Sequence, residues 1–162
     1  MRGTVFDWLH FLLGGLQGRT VCDLFAGSGA LGLEAVSRGA DSLDAVECDA
    51  GNAQAIARVV DKLQAQDCCR VHRADAFAFA LADAPLYDII FIDPPFAADW
   101  QAKALSAMLH RLKPNGLFYV ESPQAHVSDA VLLKLGLTRV RAGRAGAVAY
   151  ELLAKEGASC FR

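Results

Sequence analysis

A glycine-rich turn between a predicted strand and a predicted helix restricts this chain to a few folds. Residues 20–25 form a short, mainly apolar run, and the segment 27–32 reads GSGALG, which matches the pattern G-x-G-x-x-G. Apolar residues at helical spacing follow over 30–38 and end at Gly39. Small residues permit a sharp turn, and the N–H groups of the helix N-terminus can then face a ligand. A tight turn that binds no ligand is the alternative, because the pattern alone is not specific.

Strand and helix patterns alternate along the rest of the 162 residues. Strands are predicted at 20–25, 42–47, 69–73, 87–92, 116–121, 138–142 and 147–153, and helices at 3–13, 30–38, 50–64, 76–80, 99–112 and 127–134. The segment 143–146, with the sequence GRAG, predicts a hairpin turn between the last two strands. This order predicts a three-layer α/β fold with a mostly parallel sheet and one antiparallel edge, and the length fits a single domain over 1–162.

The composition excludes several classes of protein. A hydrophobic content of 54% excludes a disordered chain. Sixteen Lys and Arg against 18 Asp and Glu give a net charge of −2, which excludes a globally basic nucleic-acid-binding protein but not a local basic patch. Five cysteines without C-x-x-C spacing predict reduced thiols and no metal site. Since there is no signal-peptide pattern and no apolar run of about 18 residues, we expect a cytoplasmic protein that does not contact the membrane.

Three acidic residues follow predicted strands and indicate which nucleoside ligand the turn would hold. Glu47 ends the second strand, 20 residues after Gly27, where its carboxylate could accept both ribose hydroxyl hydrogens. Asp23 precedes Gly27 by four residues, and so close an anion suits the cationic S-adenosylmethionine better than a pyrophosphate. Asp75, after the third strand, could accept hydrogen bonds from the adenine amino group. Capping roles are the alternatives, Asp23 for the turn and Asp75 for the helix at 76–80.

The segment DPPF directly after the apolar strand 87–92 comprises Asp93, Pro94, Pro95 and Phe96. Two successive prolines fix φ and remove two backbone donors, which leaves a carboxylate, carbonyl oxygens and an aromatic face at the sheet edge. Such a set suits an exocyclic amine on a flat ring. Asp93 and the Pro94 carbonyl would accept its two N–H groups, and Phe96 would stack on the base, so catalysis would be mainly positioning. The alternative is a strand ended by a proline turn, with Asp93 as a cap and Phe96 in the core.

These motifs together resemble the RsmD-type 16S rRNA guanine-N2 methyltransferases. The resemblance is carried by DLFAGSGALGLEA at 23–35, SRGA at 37–40, VE at 46–47, FIDPPF at 91–96 and RAG at 144–146. Many amino-methyltransferases share the DPPF element alone, whereas the run DLFAGSGALGLEA is typical of a much smaller group of proteins. The resemblance covers nearly the whole chain.

The resemblance implies a Rossmann-like class I methyltransferase with a mostly parallel seven-stranded sheet. It also implies S-adenosylmethionine as donor, S-adenosylhomocysteine as product, no metal, and a guanine of 16S rRNA in the small ribosomal subunit (guanine 966 in the family's usual naming) as acceptor. By this resemblance, the methionine part of the donor would be bound by Asp23, Phe25, Ala26, Gly27, Ser28 and Gly29. Glu47 would bind the ribose, and Asp75 and Ala76 would bind the adenine. The target base would be held by the catalytic residues Asp93, Pro94, Pro95 and Phe96. No obligate protein partner is inferred, and we expect a monomer.

The RNA-binding surface is a further expectation. Arg144, beside the predicted hairpin turn, is a candidate RNA contact, with a solvated surface arginine as the alternative. Family members usually carry a basic N-terminal extension before the segment that matches residues 2–9, and this chain begins inside that segment. The extension would be expected to contact phosphates. Because this chain begins after it, we expect a shortened chain or a start codon assigned too late.

Three other functions fit parts of the pattern. An NAD-type oxidoreductase would use the glycine turn and Glu47 but would leave Asp23 and the DPPF segment without a role. A methyltransferase could instead act on an exocyclic amine of another RNA or of DNA adenine. A non-catalytic subunit that only binds nucleic acid would not need Asp93.

Overall fold

The computed structural model describes residues 1–82, 85–95 and 100–158. Within these ranges seven strands form one sheet, β1 (Thr20–Asp23), β2 (Ser42–Glu47), β3 (Cys69–Arg73), β4 (Tyr87–Ile92), β5 (Leu112–Pro123), β6 (Leu137–Ala145) and β7 (Val148–Lys155). The helices in the same ranges are α1 (Arg2–Leu13), α2 (Ala30–Ser37), α3 (Ala50–Lys62), α4 (Ala76–Leu81), α5 (Trp100–Met108) and α6 (Asp129–Leu135), with a 3₁₀ turn at Leu109–Arg111. None of these helices is long and apolar enough to cross a bilayer.

The strand order across the sheet is β3-β2-β1-β4-β5-β7-β6. The first five strands in the chain are parallel to one another, and β7 runs antiparallel between β5 and β6. The predicted fold class is therefore confirmed, including the antiparallel hairpin at one edge. From β1 the chain builds the sheet outward to β2 and β3 and then crosses to β4 on the other side of β1, so the strand order reverses there. Open α/β sheets bind ligands in the crevice at such a reversal.

Helices cover both faces of the sheet. Residues such as Val21 of β1 and Phe91 of β4 pack with α1, α2 and α3, and residues such as Ile90 pack on the opposite face with α4, α5 and α6. All six residues of β4 are buried, as expected for a parallel strand between two helical layers. The Phe91 ring lies 6.0 Å from that of Phe6 in α1 and 5.8 Å from that of Tyr119 in β5, measured between centroids. The carboxyl end of the central strand is thus held by ring contacts to a helix and to a neighbouring strand on one face of the sheet.

Asp88 ties the amino ends of the central strands together. Its carboxylate accepts hydrogen bonds from the Thr20 backbone N–H at 2.8 Å and from Nζ of Lys113 at 2.9 Å. These residues lie in β1 and β5, on either side of β4.

The strands predicted at 20–25 and 116–121 are Thr20–Asp23 and Leu112–Pro123 in the structure. Two further predicted boundaries are wrong for identifiable reasons. The helix predicted at 99–112, whose residue 99 lies outside the described ranges, ends at Met108, because a 3₁₀ turn follows and Leu112 already pairs with Tyr87. The hairpin turn predicted at 143–146 is shorter, since β6 continues to Ala145. Gly143 lies inside this strand where a Cβ would come within 2.7 Å of the Tyr150 ring, so this glycine serves close packing and not a turn.

Candidate active site

A cavity of about 540 Å³ opens at the carboxyl ends of β1, β2 and β4, where the strand order reverses. The described residues predicted to bind the donor or the base line it, with the exception of Gly29. They are Asp23, Phe25, Ala26, Gly27, Ser28, Glu47, Asp75, Ala76, Asp93, Pro94 and Pro95. Phe96 lies outside the described residues. Residues from four separate segments of the sequence therefore meet at one site.

The glycine turn adopts the conformations that its composition predicts. Gly27 and Gly29 have φ values of 57° and 81°, in the left-handed region that favours glycine. Gly29 does not line the cavity, because it precedes α2 and packs against α3, where a Cβ would lie 3.2 Å from Ile56. Gly32 lets α2 approach β2, since a Cβ there would lie 2.7 Å from Cδ1 of Leu43. The first glycine thus borders the cavity, and the other two hold the helix in position.

Asp23 is buried beneath α2, and its carboxylate lines the cavity. Its Oδ2 accepts a hydrogen bond of 3.0 Å from the Gly32 backbone N–H, so the capping role weighed as the alternative is observed. The pKa of Asp23 is raised to about 7, chiefly by burial and also by the charges of Glu47 and Glu121, against the lowering effect of this hydrogen bond. A cation beside Asp23 would favour the charged form, because it would offset both the desolvation and the repulsion.

Glu47 closes the rim of the cavity at the end of β2. Its Oε1 accepts a hydrogen bond of 2.8 Å from the Gly27 N–H, and its Oε2 accepts one of 2.9 Å from the Asp49 N–H. A carboxylate oxygen has two lone pairs, so each oxygen can accept one more hydrogen bond. The side chain is therefore fixed in place and still able to bind a pair of hydroxyl groups.

Asp75 lies before α4 and combines the two roles considered for it. Its Oδ2 accepts hydrogen bonds from the N–H groups of Phe77 and Ala78, at 3.1 and 3.0 Å, so it caps the helix. Together with Ala76 it also lines the cavity. Capping through one oxygen leaves acceptor capacity on the other, and the two roles are compatible.

An aromatic cluster that sequence reasoning missed adjoins the same cavity. The ring of Trp100, at the start of α5, lies 5.9 Å from that of Phe25 and 5.6 Å from that of Phe77. Trp100 and Phe25 line the cavity, and Nζ of Lys103 lies 4.0 Å from the centroid of Phe77. Offset and edge-to-face rings at such distances attract one another and offer a flat apolar wall to a ring-shaped ligand.

Asp93 and Glu121 form a carboxyl pair at the ends of β4 and β5, which are neighbours in the sheet. The Tyr119 hydroxyl donates a bond of 2.6 Å to Oε1 of Glu121. The pKa of Asp93 is raised to about 7, chiefly by burial and further by the nearby carboxyl groups of Glu121 and Asp23.

Four carboxylates therefore lie near one another on the α1–α3 side of the site. Side chains alternate between the faces of a strand, and each of the four follows by two residues a core residue of that face. They are Asp23, Glu47, Asp93 and Glu121. This concentration of negative charge in a cavity suits a positively charged ligand. Within the described residues, no group of three or more His, Cys, Asp or Glu side chains is arranged to hold a metal ion.

A second cavity, of about 280 Å³, adjoins the first. Asp93, Pro94 and Pro95 line both cavities. Gln101 of α5 and the end of β5 close the other side of the second cavity. The segment after β4 thus stands between two spaces that could each hold a ligand.

The candidate RNA contact Arg144 is not among the residues that line either cavity. Arg144 is exposed in β6, opposite Ala149 of β7. The nearby Arg139 has a structural task, because its guanidinium binds the buried carboxylate of Glu151 at 2.7 Å and the Val127 carbonyl at 2.6 Å. These two arginines, only five residues apart, thus have different surroundings.

Comparison with known proteins gives consistent matches over nearly the whole chain. A family model described as Conserved hypothetical protein 95 matches residues 1–154. The Ribosomal RNA small subunit methyltransferase D of Escherichia coli K12 is 34% identical over 162 residues, which cover 96% of this chain and 77% of that protein. The solved structure of yhhF from Escherichia coli has a TM-score of 0.83 at 31% identity, over 96% of this chain and 86% of that one. The 16S rRNA N2 G1207 methyltransferase of T. thermophilus, solved with AdoMet and guanosine, has a TM-score of 0.77 over 96% of this chain and 43% of that one, and at 24% identity this likeness concerns the fold.

Proposed function

This chain belongs to the family described as Conserved hypothetical protein 95, the RsmD-type proteins, and we propose that it transfers a methyl group from S-adenosylmethionine to the N2 amine of a guanine in 16S rRNA. The observation that carries this proposal is that Asp93, Pro94 and Pro95 line both cavities. A group held by these residues can face a donor in the first cavity and belong to a base in the second. We propose as the target the guanine of the small subunit that is numbered 966 in the family's usual naming.

The first cavity fits S-adenosylmethionine in charge and shape. Asp23 and the turn from Phe25 to Gly29 would hold the methionine part, because its ammonium and the sulfonium are both cationic. Glu47 would accept the ribose hydroxyl hydrogens through the oxygens that the Gly27 and Asp49 N–H groups already orient. Asp75 and Ala76 would bind the adenine. A dinucleotide fits less well, since the buried anion of Asp23 beneath α2 would repel a pyrophosphate.

The residues after β4 would prepare the amine for reaction. When bound, S-adenosylmethionine supplies an electrophilic methyl group on a positively charged sulfur. The Asp93 carboxylate and the Pro94 carbonyl would accept the two N–H groups of N2, which directs the nitrogen lone pair towards the donor cavity. As N2 gains a methyl group it loses one proton, and Asp93 would accept it before passing it to water. A pKa near 7 suits this transfer, because a base works best near the ambient pH.

The second cavity would receive the target base after it leaves its stack. RNA-modifying enzymes act on bases that are already unpaired or that rotate out of a helix. Stacking of Phe96 on this base remains a prediction, because Phe96 lies outside the described residues. We further propose that the chain acts as a single-domain monomer in the cytoplasm, with the small ribosomal subunit as its partner and Arg144 as an RNA contact.

Transfer of labelled methyl groups to small ribosomal subunits that lack the modification tests this function. The expected result is incorporation into 16S rRNA at one guanine, identified by mapping the labelled nucleotide and by its chromatography as N2-methylguanosine. Label in adenine, or in another RNA supplied in the same assay, would instead support the alternative acceptors. No incorporation from S-adenosylmethionine, together with binding of NAD and not of S-adenosylhomocysteine, would contradict the proposal.

A further inference from the structure

The second cavity contains polar groups that the methyl-transfer mechanism does not use. Beyond the shared residues, its lining includes Glu121 and Ser122 at the end of β5 and Gln101 of α5. The Gln101 amide is already engaged, since its Nε2 donates a hydrogen bond of 3.0 Å to the Glu121 backbone carbonyl. The side chains of Glu121 and Ser122 are therefore the groups available to a ligand on that side.

Ser122 has a buried hydroxyl without a hydrogen-bond partner. The residue is 7% exposed. Among the buried side-chain oxygen and nitrogen atoms of the described residues, its Oγ is the one without a hydrogen-bond partner. Buried hydroxyl groups in proteins are normally hydrogen-bonded, so an exception calls for a cause such as a ligand. A serine side chain can adopt three staggered rotamers, and its hydroxyl can therefore turn towards a group that enters the cavity.

The carboxyl pair of Asp93 and Glu121 is also incomplete without a ligand. Burial together with the Glu121 charge raises the pKa of Asp93. Two neighbouring donors from a ligand would give each carboxylate a further partner and offset their repulsion. Tyr119 fixes the position of Glu121 for such a contact, through its hydrogen bond to Oε1.

The edge of guanine presents groups that can pair with these side chains. N2 carries two N–H donors, the adjacent N1 carries one N–H donor, and O6 beyond it is an acceptor. We propose that Glu121 accepts a hydrogen bond from N1–H of the target guanine and that Ser122 donates one to O6, while Asp93 holds N2. This inference rests on the proposed function and names the residues that select the base.

The same set disfavours the other bases that carry an exocyclic amine. In adenine and cytosine, the ring nitrogen beside the amine carries a lone pair and no proton. That lone pair would face the Glu121 carboxylate, so two acceptors would meet where one hydrogen bond is needed. A site built around a hydrogen bond discriminates strongly against an analogue that lacks it, because the buried group is then left unpaired.

Replacing the target guanine by 2-aminopurine tests the proposal. This base keeps the 2-amino group, but its N1 has no proton and it lacks O6. The substrates are small subunits reconstituted with 16S rRNA that carries guanine or 2-aminopurine at the target nucleotide, and the readout is kcat/KM for methyl transfer. The unmodified protein is expected to prefer guanine by about 10- to 100-fold in kcat/KM. The reason is that 2-aminopurine loses two hydrogen bonds, one of which is to the charged Glu121.

Two variants test whether Glu121 and Ser122 are the residues that discriminate between guanine and 2-aminopurine. In Glu121→Gln the amide can donate to N1 of 2-aminopurine, so the preference for guanine is expected to fall by about tenfold or more. Ser122→Ala is expected to slow transfer to guanine and to leave transfer to 2-aminopurine unchanged, because only guanine has O6. Binding of S-adenosylhomocysteine and the melting temperature report on folding. Glu156→Gln, at an exposed position after β7, is the matched control and should retain the preference.

The outcomes separate this inference from the proposed function. An unchanged guanine preference in Glu121→Gln would overturn the role of Glu121, and unchanged transfer to guanine in Ser122→Ala would overturn that of Ser122. Equal rates of the unmodified protein on the two bases would overturn both. Failure of the proposed function would look different, since the unmodified protein would then methylate neither substrate.

Discussion

The backbone N–H of Gly27 donates a hydrogen bond of 2.8 Å to Oε1 of Glu47, which joins the glycine turn to the end of the neighbouring strand. The two residues are 20 positions apart in the chain. The bond fixes both the turn and the carboxylate that would bind the ribose, so the donor cavity is organised before a ligand arrives. Preorganisation of this kind reduces the entropy lost on binding.

Glu47→Ala is expected to weaken donor binding. The substitution removes the ribose acceptor and leaves the N–H groups of Gly27 and Asp49 without their partner, so the dissociation constant of S-adenosylhomocysteine should rise by about 10- to 100-fold. Isothermal titration calorimetry measures this constant directly. Glu156→Ala is the control and should bind as the unmodified protein does. An unaltered constant in Glu47→Ala would remove this residue from the donor site.

The buried acids make stability depend on pH in a defined direction. The pKa values of Asp23 and Asp93 are raised to about 7, whereas an unfolded aspartate has a pKa near about 3.9. Between these values the folded chain holds protons that the unfolded chain releases. The contribution of these groups to the free energy of unfolding therefore falls as pH rises through this window and levels off above pH 7.

Asp93→Asn tests this dependence, because asparagine does not ionise. We expect its melting temperature at pH 8 to exceed that of the unmodified protein, and the difference to shrink at pH 5. Differential scanning calorimetry at both pH values gives the measurement. Acids such as Asp88, whose pKa is lowered, act in the opposite sense but are common to both proteins. A difference of equal size at the two pH values would show that the Asp93 charge is not the cause.

Arg139→Ala is expected to destabilise the fold. Glu151 is fully buried, and its carboxylate binds the Arg139 guanidinium and the Val127 N–H. Removing one partner of a buried ion pair leaves an uncompensated charge and costs about 3–5 kcal/mol. Urea unfolding monitored by circular dichroism gives the free energy of unfolding. Arg144→Ala, an exposed position on the same strand, is the control, and equal stability of the two variants would contradict the assignment.

Arg144→Ala is expected to weaken binding to the small subunit without changing stability. One lost phosphate contact lowers the slope of log affinity against log salt concentration by about 1. The affinity for small subunits at several salt concentrations gives this slope. Lys62→Ala, at the exposed last residue of α3, is a charge-matched control. If the slope is the same for both variants, the RNA lies elsewhere on the protein.

The sequence predicts the βαβ unit and β4 well, because their signals are local. The glycines at 27 and 29 are needed for left-handed backbone, and the run 87–92 is apolar because both faces of β4 are covered. Gly143 misled the prediction of the hairpin turn, since it serves packing against Tyr150 in the neighbouring strand. Contacts between strands that are distant in the chain are not visible as a local pattern.

The same limit explains the site residues that the sequence did not indicate. Glu121 ends the apolar run that predicts a strand at 116–121, as Glu47 ends the run at 42–47, and that shared signal could have identified it. Its pairing with Asp93 depends on β5 lying beside β4, which only the sheet order reveals. Trp100 reaches the cavity because α5 packs beside the turn that contains Phe25. In contrast, the helix-capping role of Asp75 could be read from its position before 76–80.

A single-turnover assay of Asp93→Asn tests the central claim most directly. Labelled methyl transfer to small subunits lacking the modification would be timed with enzyme in excess, beside the S-adenosylhomocysteine dissociation constant of the same protein. The account predicts a transfer rate lower by about 100-fold or more, because asparagine cannot accept the N2 proton, with a dissociation constant within about threefold of the unmodified value, since Asp23 and Glu47 remain. Transfer at the unmodified rate would contradict it.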